Sequence, residues 1–189
     1  MAADQAALHQ RAVREFDARV RAVGGDQWEL PTPCSDWNVR QLVNHLVYEN
    51  RWTVPLMEGG TLAEVGDRYE GDLLGDDPKG AWESSAREAV EAVQAPGALG
   101  RTVDLSSGPT PAGEYVNQLF ADHLIHAWDL ARAVGADERL DPELVDACAT
   151  WFTRMEPLYR SIGAIGKRPE TPPDADAQTV LLAAFGRTA

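Results

Sequence analysis

The sequence predicts an all-α bundle of four main helices with additional short helical pieces. Three observations carry this prediction. Apolar residues recur three and four apart over long windows. A capping residue followed by proline occurs three times, at Asp77-Pro78, Thr110-Pro111 and Asp141-Pro142. No hairpin turn signal separates alternating segments, and there is no internal repeat or low-complexity run.

The first helix carries Leu8, Ala12, Phe16, Val20 and Val23 on one stripe and stops at Gly24-Gly25. The segment QWELPTPCSDW then reads as a proline-bearing loop, with Ser35 placed to cap a second helix starting near Asp36. That helix carries Val39, Leu42, Val43, Leu46 and Val47 and ends by Gly59. Residues 59–77 are polar and glycine-rich and read as a loop. A third helix opens at Asp77-Pro78 and runs to about Ala95 through Trp82, Ala86, Ala89, Val90 and Val93. Residues 96–108 are irregular, with a short extended piece at 101–105. Thr110-Pro111 opens a fourth helix ending at Gly135, and Asp141-Pro142 opens another through Leu144, Val145, Cys148 and Phe152. A Gly/Pro-rich loop from about residue 161 leads to a short closing helix at 178–185, capped by Gly186.

The length of 189 residues fits one domain over 1–189. With 17 basic and 30 acidic side chains the net charge is −13, which disfavours nucleic acid and anionic membrane surfaces as partners. Cys34 and Cys148 form no CxxC pair, and the N-terminus has no apolar targeting core, so a reduced, cytoplasmic protein is expected. Apolar patches on bundle helices could support a homodimer.

The chemistry concentrates in EYVNQLFADHLIHAWDLARAVG, residues 114–135. Wound as a helix, it places Tyr115, Leu119, Asp122, His126, Leu130 and Ala133 on one face. A carboxylate and an imidazole one turn apart on a core-directed face make half of a metal site, although such a pair also serves as a buried ion pair. His123 points to the edge of that face and reads as a packing or ligand-supporting residue. A third ligand must come from another helix, and spacing leaves His45 and His9 both open. Cys34, ahead of a helix N-terminus, reads as a packed loop thiol with reactivity as the alternative. Trp28, Trp37 and Trp52 read as core and loop anchors. Glu49 and Asp129 are the nearest candidate bases. Arg40, Arg51 and Arg132 could supply local positive charge or lie solvated on the surface. No phosphate-binding glycine loop and no GxSxG elbow is present.

The segment TPCSDWNVRQLVNHL, residues 32–46, together with DHLIHAWDLARAVG, residues 122–135, resembles the DinB-like, mycothiol-dependent maleylpyruvate isomerase N-terminal family. The ending LLAAFGR, residues 181–187, resembles the closing helix of stand-alone actinobacterial members. The resemblance implies a DinB-like bundle in which His45, Asp122 and His126 ligate one divalent metal ion. It implies His45 over His9. The isomerase carries glutamate where Asp122 stands, and it has a further C-terminal domain for which this chain is too short, so the resemblance does not carry isomerase activity over. Two neutral imidazoles and one carboxylate leave coordination positions open and suit Zn2+, with Ni2+, Fe2+ and Mn2+ as alternatives. The expected function is a thiol-dependent transferase, in which a metal-bound thiolate from a small thiol such as mycothiol attacks a small electrophile. The alternatives are a non-catalytic metal- or ligand-binding module and a metal-assisted hydrolase.

Overall fold

The computed structural model describes residues 4–35 and 37–189. They divide into two compact units, Met1–Asp137 and Glu138–Ala189. The protein is mostly helical, as an all-α DinB-like fold requires.

In the first unit, helix α1 (Gln5–Ala22) is capped by Asp4, whose carboxylate accepts from the Ala6 N–H at 3.1 Å, and it buries Ala12, Val13, Phe16 and Val20. Helix α2 (Val39–Glu58) starts later than its apolar pattern suggests. Asp36, where the start is expected, lies outside the described residues. The cap is Asn38 and not Ser35: Asn38 Oδ1 accepts from the Gln41 N–H at 2.8 Å while Gln41 Oε1 accepts from the Asn38 N–H at 2.9 Å. This reciprocal box satisfies two orphan donors at once, which a lone serine cap upstream cannot do. The helix ends on Gly59 at φ 98°, a left-handed conformation in which a side chain would be strained.

A four-residue helix α3 (Leu62–Val65) lies within the stretch read as loop, nucleated by a Thr61–Glu64 capping box. Helix α4 (Pro78–Gln94) begins as expected, Asp77 accepting from the Gly80 N–H at 3.0 Å. A single 3-10 turn (Ala98–Gly100) leads to strand β1 (Thr102–Leu105), which pairs antiparallel with β2 (Gly108–Pro111). This hairpin corrects the sequence reading. Its turn residues Ser106 and Ser107 have no positive φ, and Gly108, the residue after them, takes φ 100°. The left-handed residue thus follows the two turn residues instead of being one of them, so the usual Asn-Gly signal is absent. Thr110 therefore pairs with Val103 instead of capping a helix, and α5 (Ala112–Val134) starts after Pro111 with no side-chain cap.

Helix α1 packs on α4 and α5, and α2 packs on the same two, closing a four-helix bundle. Its interior holds Phe16, Leu42, Leu46, Trp82, Phe120, Leu124 and Leu130. In the second unit, α6 (Pro142–Ser161) is capped by Asp141 and α7 (Ala177–Ala184) by Asp176. Phe152 of α6 stacks on Phe185 at 3.7 Å between ring centroids. Among the described residues no helix is long and apolar enough to cross a membrane.

Candidate metal centre

Helices α2 and α5 bring His45, Asp122 and His126 to one point. His45 Nε2 lies 3.1 Å from Asp122 Oδ2, and His126 Nε2 lies 3.3 Å from Asp122 Oδ1. One ligand atom from each of the three lies within 4.8 Å of those of the other two. The i, i+4 spacing on α5 supplies two of these atoms, and the α2–α5 packing supplies the third. The set is graded in exposure: the Asp122 side chain is 31% exposed, His45 23% and His126 7%. The cluster is thus seated in the bundle but open on its Asp122 side, as a site that admits a ligand must be.

The fully buried carboxylate in this region is Asp129, one turn further along α5. Its Oδ2 accepts a hydrogen bond from His126 Nδ1 at 2.8 Å. A carboxylate can only accept, so Nδ1 carries the proton and Nε2 is the atom presented towards Asp122 and His45. The Cys34 thiol also donates to Asp129 Oδ2, at 3.5 Å, and its sulfur lies 4.0 Å from His126 Nδ1. Cys34, His126 and Asp129 form a second group with ligand-type atoms in mutual reach, sharing His126 with the first. The loop before α2 holds this arrangement. Thr32 Oγ1 donates to the Trp37 carbonyl at 2.8 Å and accepts from the Cys34 N–H at 3.2 Å. This fold of the loop stacks Trp37 on the His45 ring, with centroids 4.5 Å apart, and sets it 5.7 Å from the His126 ring.

Opposite charges dominate the electrostatics of the cluster. Burial opposes charge on both Asp122 and His126, yet their mutual attraction outweighs it: the two imidazoles hold the Asp122 carboxyl well below the carboxylate range. The Asp122 and Asp129 carboxylates likewise hold the His126 imidazole well above 6.5 against its desolvation. Glu49, one turn beyond His45 on α2, is pushed up to about 7 by burial and then by Asp122. Asp122 and Asp129 thus flank the His126 imidazole at its two nitrogens, an arrangement that favours positive charge there.

The remaining candidates fall elsewhere. His9 is fully buried on α1 and meets His123 edge-to-face at 5.4 Å, apart from the cluster. His123 donates from Nδ1 to the Leu119 carbonyl at 2.7 Å and packs against Phe16 and Trp82, so it is a packing residue. Burial holds its imidazole down, at about 4. Arg40 is paired with Asp72 and Arg51 with Glu88, each at 2.7 Å, while Arg132 lies over the Trp128 ring at 5.2 Å. Trp52 sits with Tyr48 and Tyr69, away from Trp37. Asp129 and Trp37 contact the cluster more closely than a candidate base and a loop anchor would. The i, i+3 spacing of His126 and Asp129 was the available signal for the first; nothing local signals the second.

The donor set fits a divalent ion. Tetrahedral zinc with nitrogen and oxygen ligands at about 2.0–2.1 Å has donor atoms roughly 3.3 Å apart. His45 Nε2 and His126 Nε2 approach opposite oxygens of Asp122, and one ligand atom of each residue lies within 4.8 Å of the other two, so small side-chain rotations bring the three donors to that spacing. A family model for the mycothiol maleylpyruvate isomerase N-terminal domain matches residues 9–131, which include all three residues. The chain belongs to this family. It is a DinB-like, mycothiol-related family of metal-binding domains. Two curated relatives from Mycobacterium tuberculosis are similar over nearly the whole chain: the uncharacterized protein MT0763 of strain CDC 1551 / Oshkosh and the uncharacterized protein Rv0738 of strain ATCC 25618 / H37Rv. Each is 32% identical over 191 residues, covering 98% of this chain and 98% of the relative. No solved structure matches the chain significantly.

Within this family frame, Asp129 would act on a bound ion through His126. Replacing it with asparagine keeps the volume but weakens the acceptor that fixes the ring. Asp129→Asn should lower metal affinity by about 10- to 100-fold, with helix content preserved. Competition with a chromogenic chelator measures it; an unchanged affinity would show that His126 needs no such partner.

Proposed function

We propose that the protein holds one divalent ion, Zn2+, through His45, Asp122 and His126, and that the loaded protein joins a small thiol, mycothiol or one like it, to a small electrophile. The observation that supports this reading most is the convergence of two imidazole nitrogens and one carboxylate at a point open to solvent on one side. A zinc ion held there would supply a Lewis-acidic position that favours a thiol's deprotonated form.

The chain's own residues do the rest. Asp129 fixes the His126 ring, and Trp37 covers the outer face of His45. Glu49, four residues and about one turn beyond His45 on α2, would take the thiol proton. In the transfer, the S–H proton passes to Glu49 and a sulfur lone pair forms the bond to the electrophilic carbon. The bond from that carbon to its leaving group breaks, and the leaving group departs with the electron pair.

The test is thiol conjugation of an aryl halide by the zinc-loaded full chain. The rate should require both metal and thiol, and Glu49→Gln should lower it by about 100-fold while metal content stays at the parent level. A His126→Ala variant as fast as the parent would overturn the reading. Metal-dependent turnover indifferent to added thiol would replace it with hydrolysis by a bound water.

A further inference from the structure

Two protons converge on one buried oxygen. The His126 Nδ1–H donates to Asp129 Oδ2 at 2.8 Å and the Cys34 S–H at 3.5 Å, with Sγ 4.0 Å from Nδ1. These separations join the same three atoms, so sulfur, nitrogen and oxygen close a single triangle. Around a tetrahedral ion, with sulfur at about 2.3 Å and nitrogen or oxygen at about 2.0–2.1 Å, the corresponding edges are about 3.3–3.5 Å. Each edge of the triangle lies within about 0.5 Å of that range.

The loop before α2 fixes the sulfur. The Cys34 N–H donates to Thr32 Oγ1 at 3.2 Å, and its carbonyl accepts from the Trp37 N–H at 2.9 Å. The Asp129 side chain has no exposed surface and that of His126 is 7% exposed, whereas Cys34 is half-buried. An ion therefore reaches the triangle past Cys34. Burial also sets a condition on what enters, because added net charge in the core is costly. Exchange of two protons for one doubly charged ion adds none.

We infer that Cys34 Sγ, Asp129 Oδ2 and His126 Nδ1 form a second cation site, for one soft divalent ion, across the imidazole from the His45–Asp122 side. On binding, the S–H and Nδ1–H protons leave to solvent, and each of the three atoms gives a lone pair to the ion. The thiolate favours soft ions here, whereas the first centre offers nitrogen and oxygen alone. This site has no part in the thiol-transfer reading and stands or falls separately from it.

Cadmium is the probe, because a Cd2+–thiolate bond gives an ultraviolet charge-transfer band that nitrogen and oxygen ligands do not. Cd2+ titrated into the metal-free full chain should raise this band to a plateau with a single sulfur bound. Cys34→Ser should abolish the band and weaken Cd2+ at this site by at least about a hundredfold. His45→Ala, which disables the first centre, should leave the band in place. So should Cys148→Ser, whose thiol is fully buried on α6. In the parent, Cd2+ should slow alkylation of Cys34 by at least about tenfold. No band in the parent, a band that survives Cys34→Ser, or alkylation of Cys34 unslowed by Cd2+ overturns the inference. Loss of the band in His45→Ala overturns it too, by placing the ion at the first centre with Cys34 as an added ligand.

Discussion

Replacing His126 by alanine should reduce bound metal from about one ion per chain to below about a tenth, through a loss of affinity of at least about a thousandfold. The side chain acts through both of its ring nitrogens. Its Nε2 faces Asp122 at 3.3 Å and its Nδ1 bonds Asp129 at 2.8 Å, so truncation removes a ligand atom and the anchor that aims it. Loss of a supporting partner alone costs about 10- to 100-fold in such sites, and loss of a ligand costs more. The same change leaves the fully buried Asp129 carboxylate without its imidazole partner, a penalty of about 1–3 kcal/mol in stability. His126→Gln separates the two effects. It keeps a donor near Asp129 and removes the imidazole, so metal should be lost while most of the stability returns. Elemental analysis and urea denaturation read the two quantities; an alanine variant that retains stoichiometric metal would remove His126 from the ligand set.

Trp82→Ala carries the largest expected cost in stability, about 3–5 kcal/mol. Trp82 is 1% exposed in the middle of the bundle. Its ring packs 4.6 Å from Phe16 on α1 and 5.8 Å from His123 on α5, and its Nε1 donates to Asp17 at 3.1 Å. It therefore ties α4 to both of the helices it meets on that side. Asp17 also accepts from Arg21 at 2.7 Å and is partly exposed, so the cost lies in the cavity and not in an orphaned carboxylate. Trp82→Phe should lose less, because it fills most of the space. Urea unfolding of the metal-free chain measures both variants, and an alanine variant within about 1 kcal/mol of the parent would mean that the bundle collapses freely around the gap.

The bundle was legible because its helices obey a local rule. Phe16 and Val20, Leu42 and Leu46, and Ala86 and Ala89 all fall on buried faces that apolar spacing reveals directly. Two of the three proline-after-cap signals, at Asp77 and Asp141, mark true helix starts. Thr110 starts no helix because it pairs with Val103, and the turn before it carries Ser107-Gly108 in place of the Asn-Gly or Asp-Gly that signals a tight hairpin most strongly. The Asn38 cap is hard to read from sequence because Ser35, three residues earlier, is an equally good capping residue, and only the Asn38–Gln41 box distinguishes them.

The cluster was legible to a similar extent and for the same reason. Asp122 and His126 share a helix, and their spacing predicts adjacency. Choosing His45 over His9 needed knowledge of which helix faces α5 at that height; spacing left it open and only the family resemblance pointed to His45. The burial of the two carboxylates was harder still. Asp122, expected inside, has a side chain 31% exposed, whereas Asp129 is the one with none. Trp37 and Cys34 reach the cluster through a loop folded about Thr32, a contact across some 90 residues that no local pattern encodes.

The most direct test of the account is the metal content of the full chain, purified without added metal or a polyhistidine tag and then reconstituted with Zn2+. About one ion per chain is expected after reconstitution, with X-ray absorption showing nitrogen and oxygen neighbours at about 2.0–2.1 Å. Less than about a tenth of an ion per chain, with no uptake on reconstitution, would contradict it.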